Sequence, residues 1–198
     1  MKPIVLLRRL LFAAALIPAA ALAYDAYTGD LTANPVEYIT RETGDWTIAF
    51  LMISLAVTPL RRLTGWNDLI KLRRMLGLFA FFYATLHMLT WVVLVSFFDV
   101  PTMIEDVTMR PFITVGMATF LILAVLAATS NRAAIRWLGR RWQTLHRLVY
   151  LAAIGAVVHF WWLVKADITT PRRWALVLTV LLGFRLWWMW RARTLSRS

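Results

Sequence analysis

The sequence predicts an all-α, polytopic membrane bundle of six transmembrane helices with both termini in the cytoplasm. Three observations predict it. The chain is 61% hydrophobic and only 16% charged, with a mean hydropathy of +0.66, well beyond a soluble domain. Its apolar residues gather into six runs, each of them long enough, or nearly so, to cross a hydrocarbon core of about 30 Å. Its lysines and arginines gather in alternate connections between those runs. At 198 residues the chain reads as a single domain, 1–198.

The first run, Leu10 to Tyr27, follows Arg8 and Arg9. Its basic start and Ala-rich end resemble a signal peptide, but five further runs favour an uncleaved helix. A polar segment with Asp30, Glu37, Glu42 and Asp45 leads to the second run, Trp46 to Leu60, which Pro59 and the Arg61–Arg62 pair are expected to end. The third run begins after KLRRMLGL and reaches about Phe98. A mostly polar, acidic connection follows, and Pro111 is well placed to open the fourth run, Phe112 to Ala128. After a basic loop, the fifth run is QTLHRLVYLAAIGAVVHFWW, Gln143 to Trp162, and the sixth is Trp174 to Trp190. Arg185, inside the sixth, is expected to snorkel to the interface.

One side of this layout holds both termini and the loops with Arg61, Arg62, Lys71, Arg73, Arg74, Arg132, Arg136, Arg140 and Arg141. The other holds Arg41, Arg110, Lys165, Arg172 and Arg173, with nearly all the acids. The positive-inside rule places the first side in the cytoplasm. The net charge of +12 then reflects topology and attraction to anionic lipid, not nucleic acid. The eleven Trp and eleven Phe suit interfacial belts. With no cysteine, the chain supplies no disulfide, thiolate-ligated haem or iron–sulfur cluster.

The chain has three histidines, and each lies in or at the end of an apolar run. His87 and His159 sit on two helices that rise in the same direction, at similar depth in the outer half of the bilayer. Ionisable groups at such depth are costly and usually functional, and two facing neutral imidazoles suit a haem iron. The bland alternative is a neutral histidine bonded to a backbone carbonyl or to a neighbour such as Thr90. His146, at the cytoplasmic boundary, lies about 20 Å along the helix from His159. On an ideal helix the two point about 140° apart unless the helix bends, and Gly155 could allow a bend. The position on the third helix that would face His146 is Arg73, which suits a propionate or phosphate rather than iron.

The stretches TPLRR, LRRMLGLFAFFYATLH and WQTLHRLVYLAAIGAVVHFWW together resemble the MsrQ (YedZ) family, the haem-binding membrane subunits of protein-methionine-sulfoxide reductase systems. The wider group is the ferric-reductase-like transmembrane domain, in which four histidines on two helices hold two stacked b haems. His87, His146 and His159 match three of those positions, as metal ligands, and Arg73 stands at the fourth. The resemblance therefore implies a complete outer haem b site and an altered inner one. It implies an electron conduit of the bacterial inner membrane, fed by quinone or a flavin reductase and binding FMN. It further implies a heterodimer with a periplasmic, molybdopterin-containing subunit, which carries out methionine sulfoxide reduction. A proton-coupled transporter using intramembrane histidines, or a cofactor-free membrane scaffold subunit, is the alternative. A transporter would favour interrupted helices and embedded carboxylates, whereas the acids here lie almost entirely in loops.

Overall fold

The computed structural model describes residues 3–164 and 167–195; Lys2, Lys165 and Arg197, which enter the charge asymmetry, lie outside them. Every regular element among the described residues is helical, in the order α1 (Pro3–Thr28), α2 (Pro35–Thr64), α3 (Arg73–Leu89), α4 (Val100–Met109), α5 (Pro111–Ala128), α6 (Arg132–Leu138), α7 (Arg140–Leu145), α8 (Leu148–Leu163) and α9 (Thr169–Leu195). A 3₁₀ segment, Asn67–Leu72, leads into α3, and a π-turn, Thr90–Val95, extends it. Six stretches have the length and apolar composition of membrane spans, the fifth made of α7 and α8 together.

Two helix pairs form the centre. Along α3 the buried positions Met75, Leu76, Phe79, Ala80, Tyr83 and Ala84 recur at three- and four-residue spacing, a stripe on one helical face. They meet Phe50, Leu51, Met52 and Leu55 of α2 in the common core. Phe50 stacks between Phe79, at 5.5 Å, and Tyr83, at 5.3 Å, and each such pair contributes about 0.5–1.5 kcal/mol beyond area burial. His87 continues the stripe one turn beyond Tyr83. The second pair, α5 with α8, joins through small residues: Ala152, Ala153 and Ala156 are buried, and Thr119 fills the space beside Gly155. Small residues let helix backbones approach closely where the surroundings are as apolar as the side chains. Large side chains on the outer faces, such as Phe12, Ile17, Leu121 and Val180, are exposed and face the lipid.

The structure corrects several boundaries. Pro59 does not end α2: the helix begins at Pro35, carries Pro59 inside it and runs to Thr64. Its stop is Gly65, in the left-handed region at φ 71°, which glycine adopts without a Cβ penalty. The acidic connection after the third span is largely the helix α4, whose buried Asp106 accepts from Arg110 at 3.1 Å and from Trp91 Nε1 at 3.4 Å. Between the π-turn and α4, Phe97 and Phe98 have positive φ, so the reversal is taken up there. The basic loop folds into α6 and α7. The fifth span breaks at His146–Arg147, between α7 and α8, while Gly155 stays within an unbroken helix.

α1 packs on the bundle through Ile4, Ala15 and the edge contact of Phe12 with Phe79, and one side chain bonds its backbone. The Tyr83 hydroxyl, on a residue 1% exposed, donates to Ala15 O at 2.8 Å and accepts from Ala19 N–H at 3.1 Å. Those two groups would bond each other in a regular helix, so the phenol is inserted into the α1 ladder beside Pro18. Tyr83→Phe leaves both groups without that partner, a loss of about 1–3 kcal/mol. Thermal unfolding in detergent should show that destabilisation, with faster proteolysis between α1 and α2; an unchanged melting curve would mean the bond contributes nothing.

Candidate functional site

The site is built where the two helix pairs meet. His87 lies at the end of α3 and His159 near the end of α8, and their rings come together across the bundle with centroids 6.1 Å apart and planes at 82°. Each imidazole is fixed by its Nδ1. His87 Nδ1 donates to Thr40 O of α2 at 3.0 Å, and His159 Nδ1 donates to Phe112 O of α5 at 2.6 Å. With the Nδ1 protons committed to carbonyls, a neutral ring at either position leaves its Nε2 lone pair to accept or ligate. Thr90, the neighbour that might have satisfied the His87 ring, donates to the His87 carbonyl instead, at 2.7 Å.

Two glycines make room for these rings. A Cβ on Gly44 of α2 would stand 3.2 Å from His87 Cε1 and Nδ1. A Cβ on Gly116 of α5 would stand 2.7 Å from His159 Nδ1 and 2.8 Å from Cε1, closer than packed atoms approach. Glycine within a helix costs about 1 kcal/mol against alanine, and here that cost gives each imidazole a notch against a neighbouring backbone. Sequence reading missed Gly44, Gly116, Thr40 and Phe112. The available signal was an isolated glycine inside an otherwise strong helical pattern.

The separation suits a shared metal. Two metal–imidazole bonds of about 2 Å, extended by the two ring radii, bring centroids to about 6 Å. Among the described residues no group of three or more His, Cys, Asp or Glu comes together. Two opposed imidazoles alone hold a bare ion poorly, so the pair fits an iron whose other ligands come from a macrocycle.

His146 and Arg73 form a second, different group at the basic end. His146 Nε2 lies 3.0 Å from Thr129 Oγ1, and its ring stacks on Trp142 with centroids 4.0 Å apart. Arg73, which opens α3, lies at the same end of the bundle, near enough for its charge to act on His146. His146 is thus held between a hydroxyl and an indole, with no second histidine opposite.

The sequence matches the family described as ferric reductase like transmembrane component over residues 43–157, a segment that contains His87, His146 and Arg73 and ends just short of His159. Proteins named protein-methionine-sulfoxide reductase heme-binding subunit MsrQ are similar along nearly the whole chain. That of Herminiimonas arsenicoxydans is 50% identical over 98% of this chain and 90% of its own length. That of Bordetella pertussis is 50% identical over 96% and 94%, and that of Rhodospirillum rubrum 48% identical over 88% and 85%.

Because the notch at Gly116 is tighter than that at Gly44, alanine at the two positions should differ in effect. Gly116→Ala forces the His159 ring off its carbonyl and should strongly lower the haem-to-protein ratio of the purified chain, whereas Gly44→Ala should lower it less. Equal and full occupancy in both variants would show that the notches do not hold the rings.

Proposed function

We propose that this chain, which belongs to the ferric-reductase-like transmembrane family and within it to the MsrQ family, is the b-haem membrane subunit that delivers electrons to a methionine sulfoxide reductase. The observation that carries this reading is the pairing of His87 with His159, each anchored through Nδ1 and presenting Nε2. A haem held there supplies a reversible one-electron change at its iron. His87 and His159 are the residues that would hold it, through Nε2. The carbonyls of Thr40 and Phe112 fix the tautomer and aim of each ring and raise its basicity, as outer partners of metal-bound histidines do. The buried Tyr83, Ala84 and Val157 contribute to an apolar surround that keeps water away and favours a neutral ring.

The finer reading follows from topology. The Lys/Arg asymmetry supports an inner-membrane protein with cytoplasmic termini. Electrons then enter at the basic end, from the quinone pool or a flavin reductase, and leave at the opposite end. There the partner is a periplasmic, molybdopterin-containing subunit, joined to this chain as a heterodimer. His146 and Arg73 mark the receiving end. In place of a second bis-histidine site they offer an imidazole stacked on an indole and a guanidinium fork, which suits the phosphate or ring oxygens of FMN or a quinone.

Absorption spectra of the oxidised and dithionite-reduced protein test both parts. His87→Ala and His159→Ala should each abolish the low-spin spectrum or convert it to a five-coordinate one. His146→Ala should leave that spectrum and its dithionite reduction nearly intact while slowing reduction by the physiological donor. Unaltered low-spin spectra in both His87→Ala and His159→Ala would refute the ligand pair.

A further inference from the structure

The two imidazoles are anchored alike, yet their anchors are not equal. In each half of the bundle a histidine donates through Nδ1 to the carbonyl of a residue 47 positions earlier: His87 to Thr40 and His159 to Phe112. In each half the notch glycine follows that carbonyl by one helical turn, Gly44 after Thr40 and Gly116 after Phe112. A helical carbonyl points at the amide four residues on, so each acceptor oxygen is delivered to the notch itself. The halves differ at the residue just before the glycine, which is Thr43 in α2 and Val115 in α5.

Thr43 is 2% exposed, so its hydroxyl must find partners inside the protein. It shares its one proton between two carbonyls of its own helix, Ile39 O at 2.7 Å and Thr40 O at 3.1 Å. The second of these is the oxygen that receives His87 Nδ1, at 3.0 Å. The hydroxyl oxygen stands 3.5 Å from Nδ1, too far to act as more than a weak second acceptor.

Thr40 O therefore serves three donors: the Gly44 amide of its own helix, the Thr43 hydroxyl and the imidazole. A carbonyl oxygen has two lone pairs, so the added hydroxyl leaves less density for the ring. Phe112 O meets His159 at a shorter 2.6 Å, and Val115 has no hydroxyl to share that oxygen. Firmer acceptance at Nδ1 makes an imidazole more basic at Nε2. His159 is thus the stronger donor of the pair and His87 the weaker. Packing alone does not call for the hydroxyl, since valine has nearly the same shape and fills the matching place in α5.

We infer that Thr43 is a positioning residue that tunes the histidine pair. By sharing the Thr40 carbonyl it weakens His87 as a donor, which raises the reduction potential of the haem the pair holds. This tuning presupposes the proposed His87–His159 ligand pair.

The test uses the full-length haem-loaded protein in detergent, with its midpoint potential read by spectroelectrochemical titration and its haem-to-protein ratio alongside. Thr43→Val removes the hydroxyl, and both carbonyls keep their helical amides. It should favour the oxidised form by at least about threefold, a fall of about 30 mV at 59 mV per tenfold, with haem content and low-spin spectrum unchanged. Val115→Thr places a hydroxyl where it can bond the carbonyl one turn back and should raise the potential by a comparable amount. Thr43→Ser keeps the hydroxyl and should stay close to wild type. A merely structural Thr43 would alter haem content or melting and leave the potential in place. A wild-type or raised potential in Thr43→Val would overturn the proposal, as would an unmoved or lowered one in Val115→Thr. Should Thr43→Val not fold, the sign of the Val115→Thr shift decides. Unaltered low-spin spectra in both His87→Ala and His159→Ala would refute the ligand pair and this tuning together. A sound ligand pair with unmoved potentials would refute the tuning alone.

Discussion

The structure depends on keeping two imidazoles neutral, half-buried and close together, ring planes nearly perpendicular, in an apolar bundle. A charged imidazole at this depth is costly, and a neutral one has one donor and one acceptor to satisfy. The fold answers the donor with a main-chain carbonyl on a neighbouring helix: Thr40 O for His87 and Phe112 O for His159. This requires α2 to pack on α3 and α5 on α8 at close range and in fixed register. The stacked aromatics of the first pair and the alanine–glycine contact of the second set those registers. The two rings then come together with centroids 6.1 Å apart.

The two ends of the bundle are built differently. Towards the histidine pair several charges are answered: Asp106 is bonded by Arg110 and Trp91, and Arg41 meets Glu37 at 2.7 Å. At the basic end, Arg62 lies on Trp188 and Arg185 on Tyr150, and the ion pairs among the described residues include neither of them. An end rich in unanswered cations suits anionic partners from the membrane surface or solution. An end that holds two neutral imidazoles suits a buried redox group. The functional division proposed for the chain follows that physical one.

Much of this was legible in the sequence because membranes impose simple rules. Run length and composition gave six spans, and alternate loops gave the charge asymmetry. Helical rise alone placed His87 and His159 at one height, and the 100° step put Arg73 close to the His87 face of α3. What stayed hidden depends on neighbours. Pro59 reads as a stop, yet α2 continues through it to Gly65. The bend in the fifth span lies at His146–Arg147, not at Gly155, because Thr119 packs against that glycine within a continuous helix. Arg185 reads as a snorkelling residue, and its stacking partner, Tyr150 on another helix, has no local signal. An isolated glycine in a helical pattern marks each notch, but what it accommodates is not local, since the ring comes from a distant part of the chain.

The central claim is that His87 and His159 share one iron with their ring planes nearly perpendicular, at 82°. Perpendicular axial imidazoles leave the two iron d orbitals that engage them almost equal in energy, which produces strong anisotropy in a low-spin ferric centre. Low-temperature electron paramagnetic resonance of the oxidised, purified protein reads this directly. The account predicts one strongly anisotropic low-spin ferric signal. A high-spin signal, or the rhombic low-spin signal of parallel imidazoles, would contradict it.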